Sequence, residues 1–264
     1  MEEIRKQRVK DFWDAQTCGS QFSQSEKFGL AYFEEIEKDR YNKEPEILEF
    51  ADFQSGQGKV VLEVGTGAAT DFLQWARHCD QLYGIDLTPH SVEHARRRLD
   101  LYGLKANQIV VADAENLPFP NDMFDIVYSW GVIHHSPDTP QALAEIVRVL
   151  KKGGQARIMI YNRQSVLAYF FWVKHALLKG RPFKSIAWVL DNYMESKGTK
   201  GYTIHEVKKM LESQQVTINE LKTYFTYYDR MTRHSRALQL ASKLLGLFLP
   251  KKKFGWFLVF KFTK

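Results

Sequence analysis

Along the middle of the chain, short apolar runs alternate with longer stretches in which apolar residues recur at helical spacing. Short continuous apolar runs predict buried strands, and the longer stretches between them have the spacing of helices of about ten or more residues. Strands are predicted at residues 59–64, 81–86, 109–112, 124–130 and 155–161, and helices at residues 70–79, 89–102 and 139–150. Gly153 and Gly154 are expected to stop the third helix. This alternation is typical of βαβ units that form a parallel sheet with right-handed crossovers.

The chain on either side of this core has a different pattern. Residues 1–57 are rather polar with scattered aromatic residues, which predicts an N-terminal helical cap or lid. Residues 163–264 are predicted to add helical insertions and the last two strands to a core that spans residues 58–162. The elements expected there are an aromatic-rich helix at 165–178, a helix at 203–213, a strand at 217–227, an amphipathic helix at 232–248 and a closing strand at 256–262.

Composition narrows the class of protein. A chain of 264 residues with 44% hydrophobic and 26% charged residues is long enough for one large α/β domain. Cys18 and Cys79 are too few for a disulfide framework, and residues 1–6 lack the apolar segment of a secretory signal, so we expect a cytoplasmic protein. The net charge of +6 is spread along the chain, which disfavours nucleic acid as a partner. The sequence shows no cluster of metal ligands, so no metal is expected.

A glycine-rich turn follows the first predicted strand. Residues 63–67 (Glu-Val-Gly-Thr-Gly) lead directly into a helix, and such a turn lets the backbone approach a ligand closely. Thr70 stands where the dinucleotide fingerprint has its third glycine, which disfavours an NAD site. By itself the turn is therefore either a nucleotide site or a tight connection.

Two carboxylates follow the next two strands. Asp86 lies about 20 residues after Gly65, where nucleotide-binding βαβ units place an acid on the ribose hydroxyls. Its alternative role is to cap the helix that begins near Pro89. Asp113 follows the third strand, where it either accepts a hydrogen bond from an exocyclic amine of a base or is an ordinary turn residue. This spacing favours a nucleotide-like ligand.

Five successive motifs resemble those of class I S-adenosylmethionine-dependent methyltransferases of the type-11 group. They are residues 63–67, 84–87 (Gly-Ile-Asp-Leu), 113–120 (Asp-Ala-Glu-Asn-Leu-Pro-Phe-Pro), 124–127 (Phe-Asp-Ile-Val) and 148–154 (Arg-Val-Leu-Lys-Lys-Gly-Gly). The resemblance covers about residues 58–161. One departure is Ala69, where the family often has a third glycine; alanine is small, so we expect only a slight change in the loop.

The resemblance implies a fold. It is an α/β, Rossmann-like, seven-stranded and mostly parallel sheet with helices on both faces and an antiparallel last strand, for which residues 256–262 are the candidate. The N-terminal helical cap and the C-terminal helical insertions would be additions to it. Residues 12–19 resemble the lid helix that closes over the cofactor in relatives. Cys18, within that segment, has no evident partner base, which disfavours a nucleophilic role.

The resemblance also implies S-adenosyl-L-methionine as cofactor and S-adenosyl-L-homocysteine as product. In the family the glycine-rich loop holds the methionine part, the acid after the second strand binds the ribose, and the acid after the third faces adenine. By resemblance these roles fall to Gly65 and Gly67, to Asp86, and to Asp113 with Ala114. The cofactor-binding residues expected in all are Glu63, Gly65, Thr66, Gly67, Asp86, Leu87, Asp113, Ala114, Glu115, Ser129 and Trp130.

Candidate catalytic residues follow the fourth and fifth strands. Methyl transfer from a sulfonium is a direct displacement, so the protein must align the nucleophile and exclude water. A neutral oxygen or nitrogen nucleophile must also lose a proton, for which histidine is suited. Either His135 or His134 acts as that base, or the pair orders the loop by hydrogen bonds. Tyr161 either donates a hydrogen bond to the acceptor or is an interfacial tyrosine.

Two segments combine apolar and basic residues. Residues 163–180 contain an apolar run that Lys174 and His175 interrupt, and the run is shorter than the roughly 20 residues that span a bilayer. Residues 232–254 pair leucines with basic residues, as interfacial helices do. These segments are interpreted as contacts to a peripheral membrane or lipophilic substrate, as core, or as a homodimer face.

Three classes of function remain from the sequence. The leading one is transfer of a methyl group to an oxygen or nitrogen of a small-molecule acceptor, aromatic or lipophilic in character. The alternatives are a methyltransferase for macromolecules, protein or RNA, and a non-catalytic S-adenosylmethionine-binding interaction protein. A modifier of macromolecules is disfavoured because neither a clustered basic face nor an appended binding domain is evident. The sequence does not identify the acceptor.

Overall fold

A computed structural model describes residues 2–15, 19–231, 239 and 251–264. The predicted helix at 232–248 therefore lies, apart from Gln239, outside the described residues, and so does Cys18. The elements in chain order are α1 (Glu2–Ala15), α2 (Leu30–Lys43), α3 (Glu46–Ala51), β1 (Val60–Val64), α4 (Thr70–His78), β2 (Gln81–Asp86), α5 (Pro89–Leu101), β3 (Gln108–Val111), β4 (Phe124–Trp130), α6 (Thr139–Val149), β5 (Leu150–Tyr161), α7 (Val166–His175), α8 (Ile186–Tyr193), α9 (Ile204–Ser213), β6 (Thr217–Tyr224), α10 (Lys251–Phe254) and β7 (Phe257–Thr263).

The seven strands form one sheet in the order β3-β2-β1-β4-β5-β7-β6. Strand β7 is antiparallel to both of its neighbours, and the other strand pairs are parallel. The fold predicted from the sequence is confirmed. The strand order reverses between β1 and β4, which is where open α/β sheets bind ligands beyond the carboxyl ends of the strands.

Alternate strand residues bury into two apolar layers. Val61 and Tyr128 face a layer that holds α4 and α5, while Leu62 and Val127 face a layer that holds α6 and α9. This is the pattern of a parallel sheet that is covered on both faces. Phe72 of α4 is fully buried in the first layer, and its truncation to alanine would cost about 3–5 kcal/mol because such a cavity collapses only partly.

The boundary between α6 and β5 differs from the prediction. The helix was expected to reach Leu150 and to stop at the glycine pair, but it ends at Val149 and β5 begins at once. Gly153 and Gly154 lie inside the strand, where their backbone exchanges hydrogen bonds with Lys264 over 2.9 and 3.1 Å. Pairing with the chain's last residues, which a local pattern does not show, therefore decides this boundary.

The C-terminal additions combine expected and unexpected elements. Thr203 and Glu206 form a capping box that starts α9, and β6 ends at Tyr224, three residues before the predicted end of that strand. Helix α8 was not predicted. No helix in the described part of the chain is long and apolar enough to cross a membrane. The division at residues 57 and 162 and the cytoplasmic location stay predictions.

Candidate functional site

A cavity of about 610 Å³ lies at the carboxyl ends of β1, β2, β4 and β5. Helices α1 and α2 contribute to its wall through Lys6, Trp13, Arg40 and Glu44. Its size is that of a small-molecule site. The cavity has two ends. The nucleotide end is lined by Gly65, Thr66, Gly67, Asp86 and Asp113, and the acceptor end by Glu44, Trp130, Tyr161, Glu195, Tyr228 and Trp256.

The glycine-rich turn is held in a conformation that its sequence requires. Gly65 and Gly67 have φ of 85° and 50°, in the left-handed region that glycine adopts without steric cost. A Cβ on Gly65 would lie 2.2 Å from Cγ2 of Val132. The backbone N–H groups of Gly65 and Thr66 donate to the carbonyl of Ile85 over 2.8 and 3.1 Å, which ties the turn to β2. The turn therefore stays narrow and exposes backbone to the cavity.

Ala69 adopts a left-handed backbone conformation, which glycine adopts more readily. It precedes α4 with φ of 58° and is fully buried. An L-residue in this region costs roughly 1–2 kcal/mol, so the surrounding structure must hold it. The expectation that alanine changes the loop only slightly stays a prediction.

Asp86 is held by the glycine-rich turn and by the start of α5. Its carboxylate accepts from the Gly67 N–H and from the Thr88 N–H and hydroxyl, each over 3.0 Å. Burial raises the pKa of Asp86, and these hydrogen bonds oppose that rise. Thr88, and not Asp86, caps α5, since its side chain accepts from the Ser91 N–H. Asp86 therefore faces the cavity beside Leu87 with its orientation fixed.

The acids after β3 contact helix α1. Asp113 and Ala114 line the cavity, and Glu115 does not. Lys6 of α1 forms ion pairs with Asp113 and Glu115. Glu115 also accepts from the Ser136 hydroxyl and the Asp138 N–H over 2.9 and 2.7 Å. Burial raises the pKa of Glu115, but these partners outweigh it and leave the pKa below its usual value. Glu115 thus joins α1 to the β4–α6 loop.

Three further predicted residues occupy different positions. Glu63 and Ser129 are buried within the sheet and do not line the cavity. Burial raises the pKa of Glu63 well above its ordinary value, and the carboxylates of Asp71 and Asp86 add to the rise. Trp130 does line the cavity, and its Nε1 donates to Glu44 over 2.9 Å. Of these three residues, only Trp130 can contact a ligand in the cavity.

The histidine pair is divided between two environments. His135 lines the cavity, and its Nδ1 lies 2.9 Å from the Ser196 hydroxyl and 3.0 Å from that of Thr199. Burial lowers the pKa of His135 to about 3, with the charge of Lys200 contributing. His134 is fully buried against the ring of Tyr161, with centroids 4.0 Å apart, and does not line the cavity. His135 is therefore the member of the pair that can reach a ligand.

Sequence reasoning missed several polar residues of the cavity. Arg40 donates to both carboxylate oxygens of Asp71 over 3.0 and 2.6 Å, a bidentate pairing of the strong kind. Glu44 accepts from Trp130 and from the Tyr228 hydroxyl. Arg40 and Glu44 stand four residues apart at the end of α2, a spacing that could have drawn attention to them. Glu195 follows α8, and no local pattern marks it.

The nucleotide end fits S-adenosylmethionine in its chemistry. Asp86 offers carboxyl oxygens as acceptors for ribose hydroxyls. Thr66 lines the cavity, and its buried hydroxyl has no hydrogen-bond partner among the described residues. Val132 fills the space where a Gly65 side chain would project, and both residues line the cavity. Fold and site together define the class of Rossmann-like nucleotide-cofactor domains.

Comparison with known proteins makes the class more specific. Residues 62–158 match the family model described as "Methyltransferase domain". Over 99 residues the chain is 42% identical to the phthiotriol/phenolphthiotriol dimycocerosates methyltransferase of Mycobacterium leprae, which covers 37% of this chain and 36% of that protein. Over 101 residues it is 39% identical to 2-methyl-6-phytyl-1,4-hydroquinone methyltransferase 1 of Oryza sativa, with coverage of 38% and 30%. The matches thus span about a third of the length of these curated relatives.

A solved structure supports the fold over nearly the whole chain. Geranyl diphosphate C-methyltransferase from Streptomyces coelicolor, in complex with Mg²⁺, geranyl diphosphate and S-adenosyl-L-homocysteine, aligns with a TM-score of 0.65 at 11% identity. The alignment covers 98% of this chain and 97% of that one. At this identity the likeness concerns the fold. The match of residues 62–158 to the methyltransferase domain model confirms the resemblance found in the sequence motifs and supports S-adenosylmethionine as the cofactor.

Proposed function

We propose that this protein transfers a methyl group from S-adenosylmethionine to an oxygen or nitrogen of a lipophilic small molecule. The observation that carries the proposal is Asp86, which ends β2 and faces the cavity while the Gly67 N–H fixes its carboxylate. This is the place where Rossmann-like domains bind ribose hydroxyls. The two curated relatives above have names that specify methyltransferases of lipophilic compounds.

The cofactor supplies an activated methyl group when it is bound, and the protein's residues bind, orient and shield it. Asp86 accepts from ribose hydroxyls, and Asp113 with Ala114 faces the base. Thr66 and the backbone of Gly65 and Gly67 contact the methionine part. Helix α1 covers this end through Lys6 and Trp13. This cover excludes water and keeps the cofactor and the acceptor aligned.

The acceptor end supports a lipophilic acceptor. Aromatic and apolar side chains from the ends of β4 and β5 and from the C-terminal additions line it: Trp130, Met159, Tyr161, Leu167, Phe171, Trp256 and Phe257. His135 also lines the cavity and is neutral at pH 7 because its pKa is about 3. Its assignment as base stays a prediction. Such a low pKa makes it a weak base, so its contribution to turnover would come chiefly from its position.

The surface around α7 and α8 supports contact with a membrane. Residues 164–190 contain four basic residues and no acidic one. Leu178 and Phe183 in that stretch are 75% and 101% exposed. Exposed apolar side chains among cations fit the interface of an anionic lipid bilayer, where lipophilic acceptors reside. We propose this surface, residues 164–190, as the docking face; a homodimer through the same surface is the competing occupant.

Calorimetry with S-adenosyl-L-homocysteine tests the proposed function. We expect saturable binding of one equivalent, weakened about 10- to 100-fold in Asp86→Ala because two charge-assisted hydrogen bonds are lost. Asp100→Ala changes an acid at the other end of α5 and should bind normally. An assay for S-adenosylhomocysteine formation across lipophilic alcohols, phenols and amines then identifies the acceptor. Absence of binding by the unaltered protein would refute the proposal.

A further inference from the structure

The acceptor end of the cavity combines aromatic rings with two carboxylates. Tyr161 stacks on Trp256 with ring centroids 4.2 Å apart. The Tyr161 hydroxyl donates to Glu195 over 3.1 Å, and the Tyr228 hydroxyl donates to Glu44 over 3.0 Å. Each carboxylate is therefore oriented by a donor on one of the rings that surround it. Aromatic faces beside carboxylates are the surroundings that bind organic cations.

The charges at this end are unbalanced in one direction. Arg40 and Lys43, which also line the cavity, are paired with Asp71 and Asp39, and Nη1 of Arg40 also lies 3.9 Å from a Glu44 carboxylate oxygen. Glu195 forms no ion pair with a described residue, and its hydrogen-bond donor is the neutral Tyr161. By its surface area Glu195 is exposed, yet protein atoms crowd its carboxyl; desolvation by these atoms raises its pKa, and the negative charge of Glu44 adds to the rise. A bound cation would relieve both effects.

A buried histidine also faces the cavity. His135 is only 6% exposed and lines the cavity. Its Nδ1 lies 2.9 Å from the Ser196 hydroxyl and 3.0 Å from that of Thr199. Nε2 is therefore the ring nitrogen that is left for a ligand, since no residue in the described part of the chain forms a hydrogen bond with it.

Together, the two carboxylates and the histidine ring favour a ligand that donates hydrogen bonds. We infer that the acceptor end binds a cationic amine carried on an apolar body, with its ammonium held between Glu195 and Glu44 and its body against the aromatic rings. The inference rests on the proposed function, since it assumes that the cofactor fills the nucleotide end. Two carboxylates would repel a phenolate or a fatty carboxylate, and a neutral alcohol would gain no attraction from their charge.

The ammonium could belong to the acceptor or to the methionine part of the cofactor. Calorimetry on the full chain saturated with S-adenosyl-L-homocysteine separates these sources, with octylamine, octan-1-ol and octanoate as probes of equal chain length. We expect octylamine to bind at least about tenfold more tightly than octan-1-ol, because a desolvated cation gains from both the carboxylates and the rings. Octanoate should not bind.

Glu195→Gln keeps the shape of the side chain and removes its charge. It should weaken octylamine binding about tenfold and leave the affinities for octan-1-ol and S-adenosyl-L-homocysteine unchanged. The matched control is Glu212→Gln, a 60%-exposed carboxylate on α9 that pairs with Lys208. Intact binding of S-adenosyl-L-homocysteine shows that each variant is folded, and Glu44→Gln provides a second test of the same charge.

Two results would overturn the inference. Equal binding of octylamine and octan-1-ol would show that the carboxylates do not select a cation. Weakened S-adenosyl-L-homocysteine binding in Glu195→Gln, with octylamine unaffected, would assign Glu195 to the ammonium of the cofactor. Either result leaves the proposed function in place, whereas a failure of the unaltered protein to bind S-adenosyl-L-homocysteine would refute the proposed function itself.

Discussion

Gly65 of the glycine-rich turn meets two structural requirements, and substitutions can separate them. Gly65 needs both a positive φ and the absence of a side chain, since a Cβ there would meet Val132 at 2.2 Å. Gly58 has a similar φ of 70° but open space around it. The two positions therefore distinguish backbone strain from a steric clash.

Gly65→Ala should lower the free energy of unfolding by about 3 kcal/mol, from strain of roughly 1–2 kcal/mol and a further overpacking cost. Gly58→Ala should lower the free energy of unfolding by only about 1 kcal/mol. Urea denaturation measures both. Adding Val132→Ala to Gly65→Ala removes the nearest atoms and should restore part of the loss. If the double variant were no more stable than Gly65→Ala, the clash would not be the cause.

A buried neutral histidine makes stability depend on pH. His135 has a folded pKa of about 3 against an unfolded value of about 6.5. Because the folded value is lowered, its contribution is fully present above pH 6.5 and is lost as pH falls toward 3. Between pH 7.5 and 5.5 the loss is about 1.4 kcal/mol for this one group.

When the pH falls from 7.5 to 5.5, the free energy of unfolding of His135→Gln should therefore decrease by about 1.4 kcal/mol less than that of the unaltered protein. Urea denaturation at the two pH values gives the difference. His205→Gln replaces an exposed histidine on α9 and should follow the unaltered protein. An unchanged pH dependence in His135→Gln would mean that the ring is protonated in the folded state at pH 5.5.

Elements differ in how much of their position the sequence could supply. The βαβ alternation predicted β1 to β4 and the intervening helices because each of those elements has its own local period. The start of β5 was missed because Leu150 pairs with Phe124 and the glycine pair contacts Lys264, both distant in sequence. Asp86 was found because it ends a strand at a fixed spacing, whereas Glu195 depends on the path of the chain after α8.

Lys6 joins helix α1 to the nucleotide end through two ion pairs. Burial lowers the pKa of Lys6, but Asp113 and Glu115 outweigh burial and leave it raised, so the ion pairs persist at pH 7. Lys6→Met should speed amide hydrogen exchange in α1 and weaken S-adenosyl-L-homocysteine binding about three- to tenfold, since the ion pairs are worth of the order of 1 kcal/mol. Arg8→Met, at an exposed site on the same helix, is the control. Unchanged exchange in Lys6→Met would show that other contacts hold α1.

At the scale of the whole molecule, the cavity and the docking face at residues 164–190 share α7. Leu167 and Phe171 of this helix line the cavity, while Tyr169 and Val173 are exposed on it. One helix thus connects the acceptor end with the surface proposed to meet lipid. A lipophilic acceptor would then reach the cavity without crossing water, which is the physical advantage of such an arrangement.

Flotation with vesicles tests this connection. The protein should float with vesicles of equal parts phosphatidylcholine and phosphatidylglycerol and remain unbound with phosphatidylcholine alone, because the docking face is basic. Phe183→Ala should weaken binding about tenfold, since burial of a phenylalanine contributes roughly 1.5–3 kcal/mol. Leu48→Ala, at a 50%-exposed leucine on α3, should have no effect. Equal flotation of Phe183→Ala and the unaltered protein would remove residues 164–190 as the docking face, and a dimer in light scattering that Phe183→Ala dissociates would assign the surface to a second copy of the chain.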